Sequence, residues 1–145
     1  MPRKTAVIQD SFLRSINLLS DCDAAERIAH FRPTSKGLAV LRALSGKEAD
    51  RAFLVIAPYG TGKSIAATYL LHVVENRPES RSALATIGNR LRAIDPTLGE
   101  YAENRRQAPK RGGIVLTLSG HYKSLPAAIR EAALTSMKRL KLSRR

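Results

Sequence analysis

The chain has 145 residues, with 25 Lys and Arg against 12 Asp and Glu, and a formal net charge of +13. A hydrophobic share of 43% supplies a packed core and excludes general disorder, and no apolar run reaches the ~18 residues a membrane-spanning helix needs. Cys22 is the only cysteine, which excludes intramolecular disulfides and cysteine metal clusters and points to a reducing, cytoplasmic setting. The length predicts one domain, or one part of a larger one. The first residues, Met1 to Thr5, are basic but lead into no apolar h-region, which argues against a secretory signal.

In chain order, residues 1–11 read as a loose lead, and Phe12 to Leu19 as either a short strand or a helical turn. Asp23-Ala24-Ala25-Glu26 has the spacing of a capping box and predicts a short helix ending near His30. Thr34 or Ser35 caps a second helix, Lys36 to Leu44, closed by Ser45-Gly46. The pattern then changes. Ala52 to Ala57 is a continuous apolar run, rich in β-branched and aromatic residues, and predicts a buried parallel strand. A glycine-containing loop, residues 58–62, leads into a helix over Lys63 to Glu75, stopped by Asn76-Arg77-Pro78. Two more helices follow, Ser82 to Ile94 and Pro96 to Gln107. Ile114 to Ser119 predicts the second buried strand, and Ser124 caps a last helix from Leu125 to about Leu140, with Pro126 in its first turn. The expected architecture is therefore α/β: an incomplete parallel sheet flanked by helices, with residues 1–50 as an approach segment and 51–145 as a partial nucleotide-binding domain. Two strands alone do not make a stable sheet, so self-association, or a partner that completes the core, is expected.

Ala57-Pro58-Tyr59-Gly60-Thr61-Gly62-Lys63-Ser64 fits the phosphate-loop pattern G-x-x-x-x-G-K-[ST], with Ala in place of the first Gly. Each defined position has a chemical reason. Gly60 and Gly62 let the backbone turn tightly and bring N–H groups against phosphate oxygens. The helix beginning near Lys63 aims its unpaired N–H groups and positive dipole end at the same place. Lys63 is the candidate catalytic residue, an ammonium bridging the β- and γ-phosphates, and the Ser64 hydroxyl is a hard oxygen suited to Mg²⁺. The candidate binding residues are Pro58, Tyr59, Gly60, Thr61, Gly62, Lys63, Ser64 and Ile65. Tyr59 either touches a ribose or base or stands in solvent. Ser119 and Gly120, ending the second strand, fall at the carboxyl edge of the expected sheet, where ligands bind.

The segment FLVIAPYGTGKS resembles the Walker A strand and loop of P-loop NTPases of the AAA+/STAND-like kind. Upstream, RIAHFRPTSKGLAVLRAL is similar to the segment and helix that flank the nucleotide base in such ATPases. Downstream, GGIVLTLSGHYKSLPAAIREAALTSM is similar to the next core strand and helix. Similar arrangements occur in large prokaryotic ATPases, including some associated with defence against phage. The resemblance implies ATP and Mg²⁺ as cofactors and puts Arg27, His30, Phe31, Arg32 and Pro33 on the adenine side.

Hydrolysis in this group requires a Walker B strand, an apolar run ending in Asp and then Glu. None of the twelve acids closes such a run after the loop. The expectation is the N-terminal part of a longer ATPase, or a partner-completed one, that binds ATP without the acids for turnover; whether the chain is itself an enzyme stays open. A second reading comes from charge. Residues 101–145 hold eleven Lys and Arg against two acids, a net of +9, which suggests a DNA- or RNA-binding module over residues 105–145. Aromatic residues are only 5%, however, so no stacking platform accompanies the charge. A third reading, a small-molecule kinase, lacks a recognisable acceptor acid and lid. The three histidines have no metal-ligand spacing, and Cys22, between Asp21 and Asp23, has no cationic sequence neighbour to activate it.

Overall fold

Helix start and stop signals decide most of the chain. The computed structural model describes residues 17–45, 52–56, 58, 60–108 and 112–142. Six α-helices are present among them: α1 Ala25–Ile28, α2 Ser35–Leu44, α3 Lys63–Glu75, α4 Arg81–Ile94, α5 Pro96–Gln107 and α6 Leu125–Arg139, with a single 3-10 turn, Pro78–Ser80, leading into α4. Thr34 caps α2 through its side chain, which accepts from the Gly37 amide at 3.3 Å. Asn76 ends α3 in the left-handed conformation, φ 44°. Pro96 and Pro126 sit in the first turns of α5 and α6, where a missing N–H costs nothing. The capping box expected at Asp23 does not form. Ala24 occupies the cap position of α1, and the Asp23 carboxylate instead accepts from Arg77 at 2.7 Å. Ser124 holds the cap position of α6 but makes no side-chain cap hydrogen bond.

The expected α/β fold with an incomplete parallel sheet is overturned: among the described residues there is no strand and no sheet. Residues 52–56 and 113–118 adopt no regular structure, while Ala57 lies outside the described residues, as do 1–16, which cover the lead and most of the Phe12–Leu19 segment. Residues 18–20 form a turn. The physical reason lies in where the backbone groups go. A strand exists only through its ladder, and no backbone hydrogen bond joins these two segments. The Gly113 amide donates to the Val74 carbonyl at the end of α3, and the Val115 carbonyl is taken by Ser136 and Arg139 of α6. Apolar β-rich composition did not outweigh the absence of neighbouring strands.

The core lies instead among helices. Ile28, Phe31, Leu38 and Leu41 from the α1–α2 region meet Ala66, Tyr69 and Val73 of α3, Leu84, Ile87 and Leu91 of α4, and Leu98 and Ala102 of α5. Phe31 and Tyr69 meet at a centroid distance of 5.5 Å in a tilted pair. Helix α3 is buried on several sides, so Thr68, His72 and Glu75 are as enclosed as its apolar residues. Helices α4 and α5 form a close hairpin around Asp95. That residue caps α5 by accepting from the Leu98 amide at 3.1 Å and ties back to α2 through Arg42 Nε at 2.7 Å. The Leu98 amide and the Arg42 guanidinium hold its carboxyl below the usual range. Gly99 makes the crossing possible, since a Cβ there would stand 2.5 Å from Arg92 Cα.

Helix α6 adds no side chain to this core cluster. It buries Ala128, Ala132 and Ser136 outside that cluster and is tied to α3 by an ion pair. Arg139 donates from Nη2 to Glu75 Oε1 at 2.5 Å and from Nε to both carboxylate oxygens at 3.2 Å; the two side chains are 3% and 0% exposed. Arg139 Nη2 also reaches the Val115 carbonyl at 3.0 Å, and Ser136 Oγ donates to the same oxygen at 2.6 Å. Arg77 Nε stands 3.5 Å from the other Glu75 oxygen. Its guanidinium donates to Asp23 and to the Cys22 carbonyl. His72, fully buried, pairs Nδ1 with Ser80 Oγ at 2.6 Å and lies 3.3 Å from Arg77 Nη2. Burial, then the Arg77 charge, depresses its pKa from 6.5 to about 4.

Two consequences can be measured. Glu75→Gln leaves Arg139 and Arg77 without their buried counter-charge and should cost about 3–5 kcal/mol in urea unfolding, whereas Glu75→Leu combined with Arg139→Met should cost far less. His72 stays neutral in the fold, facing Arg77, Arg139, Asp23 and Ser80, while the unfolded chain takes up its proton near pH 6.5. Stability should therefore be full above pH 6.5 and fall by up to about 3 kcal/mol as pH drops to 4. In His72→Asn the part of this slope between pH 6.5 and 5 should flatten.

Candidate functional site

The loop before α3 is shaped by two left-handed glycines. Gly60 has φ 81° and Gly62 φ 84°, conformations that a Cβ disfavours. Gly62 is the N-cap of α3, with no side chain bonded to the cap. Gly62 itself has no side chain to cap the helix, and Lys63, Ser64 and Ile65 form the first turn of the 13 residues. Gly60, Thr61, Lys63 and Ser64 are all exposed. The loop also holds itself together: Thr61 Oγ1 donates to the Pro58 carbonyl at 2.9 Å, and Lys63 Nζ donates to the same carbonyl at 2.7 Å. Lys63 Nζ further lies 3.4 Å from Thr61 Oγ1. The ammonium is thus folded back onto the loop. Tyr59 and Ala57 lie outside the described residues.

Ser64 is the second residue of α3, and its carbonyl accepts from Thr68 Oγ1 at 2.9 Å. Its exposed hydroxyl is the hard oxygen expected of a Mg²⁺ ligand. No group of three His, Cys, Asp or Glu side chains able to hold a metal is found among the described residues. Five of the nine described acids are engaged elsewhere, while Glu26, Glu79, Glu100 and Glu131 are exposed. Asp95 caps α5, Glu75 pairs with Arg139, Glu103 with Arg106, Asp21 with Arg27 and Asp23 with Arg77.

Of the residues assigned to the adenine side by resemblance, Phe31 is buried against Tyr69, and Arg27 donates to Asp21 at 2.9 Å. His30 and Arg32 are exposed and Pro33 is half-buried. Ser119 and Gly120 lie at a bend rather than at a sheet edge: the Ser119 amide donates to Tyr122 Oη at 2.6 Å, and Gly120 has φ 92°.

The basic C-terminal third is less available than its charge suggests. Arg105 reaches the Val74 carbonyl at 3.3 Å, Arg106 pairs with Glu103 and Arg139 with Glu75. Lys110, Arg111, Arg144 and Arg145 lie outside the described residues. Lys123, Arg130, Lys138 and Lys141 are exposed. No helix among the described residues is long and apolar enough to cross a membrane.

A cavity of about 560 Å³ opens beside the loop, with Thr61 and Lys63 at one end. Its walls are apolar: Ala67, Leu70 and Val74 of α3 on one side, Val55 and Leu116 on the other. Phosphate charge belongs at the helix N-terminus, not in these walls. Sequence reasoning missed the polar cluster of His72, Glu75, Arg77 and Arg139 at the opposite end of α3. The one available signal was Glu75 closing an otherwise apolar helix. No family model, curated protein or solved structure matches the chain.

Proposed function

We propose that the chain binds the phosphates of a nucleotide, Mg-ATP, through residues 58–65, as part of an ATPase completed by further residues or by a partner. The carrying observation is the pair of left-handed glycines, Gly60 and Gly62, set directly before a 13-residue helix whose N-terminus has no side-chain cap. That arrangement supports the motif reading independently of any sheet: an exposed, glycine-turned loop leads straight into the positive end of a helix, with the Lys63 ammonium folded back onto the same loop. In this reading phosphate oxygens replace the Pro58 carbonyl as partners of Lys63, and Ser64 adds one oxygen to a magnesium ion already carried by the nucleotide. The chain's resemblance to AAA+/STAND-like ATPases agrees with this chemistry and remains part of the proposal.

Turnover needs a positioned water and a second anchor for the metal. The acids that pair or cap within the helical fold are committed to stability, so binding without hydrolysis is the expected behaviour. Titration with a fluorescent ATP analogue in Mg²⁺ should give saturable binding that Lys63→Ala weakens at least tenfold, about 1.4 kcal/mol, with helix content unchanged. Phosphate release should stay at background. Equal binding by Lys63→Ala would refute the assignment, and turnover abolished by the same variant would refute the statement on hydrolysis.

A further inference from the structure

Large apolar side chains are left uncovered in residues 54–56, in residues 116–118 and on α6. Leu54 and Ile56 are 85% and 84% exposed, Val55 41%. Leu116 and Leu118 are about two-fifths exposed, and Leu125 and Ile129 of α6 more so. The two extended segments belong to one region, because Val55, Leu116 and Leu118 line the same cavity. Segment 113–118 is in turn tied to α6 through the Val115 carbonyl. Exposed apolar surface of this kind marks an interaction site.

We propose that this apolar surface docks a partner polypeptide that carries apolar side chains and acidic flanks. Two observations select that occupant. The first is charge: over residues 121–142 the exposed cations are Lys123, Arg130, Lys138 and Lys141, against one exposed acid, Glu131. A second copy, itself at +13, would bring like charges together; an acidic chain meets them with complementary charge. The second is the backbone. No hydrogen bond among the described residues engages the main chain of residues 53–56 or 116–118. Lipid hydrocarbon offers these groups no partner, and a nucleic acid leaves the leucines and isoleucines uncovered. A polypeptide supplies apolar contact, backbone donors and acceptors, and carboxylates together.

The test uses two labelled 12-residue peptides of alternating Leu and Glu, or Leu and Lys, followed by fluorescence anisotropy at low and high salt. The Leu–Glu peptide should bind at least tenfold tighter than the Leu–Lys peptide, and its affinity should fall with salt. Leu54→Asn with Ile56→Asn should weaken it at least tenfold; both side chains are exposed, and circular dichroism should report an unchanged fold. Lys123→Glu with Arg130→Glu should reverse the preference between peptides. Leu54→Asn with Ile56→Asn should bind the fluorescent ATP analogue as the parent chain does, which separates this surface from the nucleotide site. Equal affinity for both peptides, or no binding, would overturn the proposal. So would concentration-dependent self-association lost in the Leu54/Ile56 variant, or binding to phosphatidylserine vesicles or duplex DNA in preference to the acidic peptide.

Discussion

The ion pair between Glu75 and Arg139 is the constraint on which the arrangement of the last third of the chain depends. Helix α6 buries only the small side chains of Ala128, Ala132 and Ser136, and it is tied to α3 by a guanidinium reaching a carboxylate that is fully enclosed. Burying such a pair is worthwhile only when every remaining valence is satisfied. Arg139 meets this by adding the Val115 carbonyl and Ser136. Glu75 is also the last residue of α3, where the negative end of the helix opposes a carboxylate. The two guanidiniums of Arg77 and Arg139 offset that cost. The same interaction explains why segment 113–118 is not a strand: its central carbonyl belongs to α6.

Helix α3 consequently has two ends with opposite electrostatic roles. Its C-terminus is enclosed, charged and fixed, and its N-terminus is exposed and carries no side-chain cap. Rigidity at one end suits a binding function at the other, because a loop mounted on an immobile helix needs little reordering when phosphate arrives. The helices that pack around α3 hold it through apolar contact, and the Asp95 cap keeps the α4–α5 hairpin closed against it.

Legibility from the sequence follows the range of the interactions involved. Helices α3 and α5 were readable to the residue, and α2, α4 and α6 within a residue or so, because prolines, glycines, Thr34 and Asn76 act on their immediate neighbours. The glycine loop was readable for the same reason. The strands were not: FLVIA and IVLTLS have strand composition, but pairing depends on neighbours that are distant in sequence. The capping box at Asp23 failed because Arg77, 54 residues away, took its carboxylate. Net charge alone does not reveal that Arg105, Arg106 and Arg139 are engaged with Val74, Glu103 and Glu75. Asp95, in sequence only an acid within a helical pattern, is a cap and an inter-helix tie.

The central claim is that the amides of the loop before α3 receive a phosphate. Backbone amide NMR during titration with Mg-ATP reads this directly. The account predicts large, saturable shifts centred on Gly60, Thr61, Gly62, Lys63 and Ser64, the same shifts in smaller measure with inorganic phosphate, and little change along α4 and α5. Shifts confined to the exposed cations of α6, or none at the glycines, would contradict it.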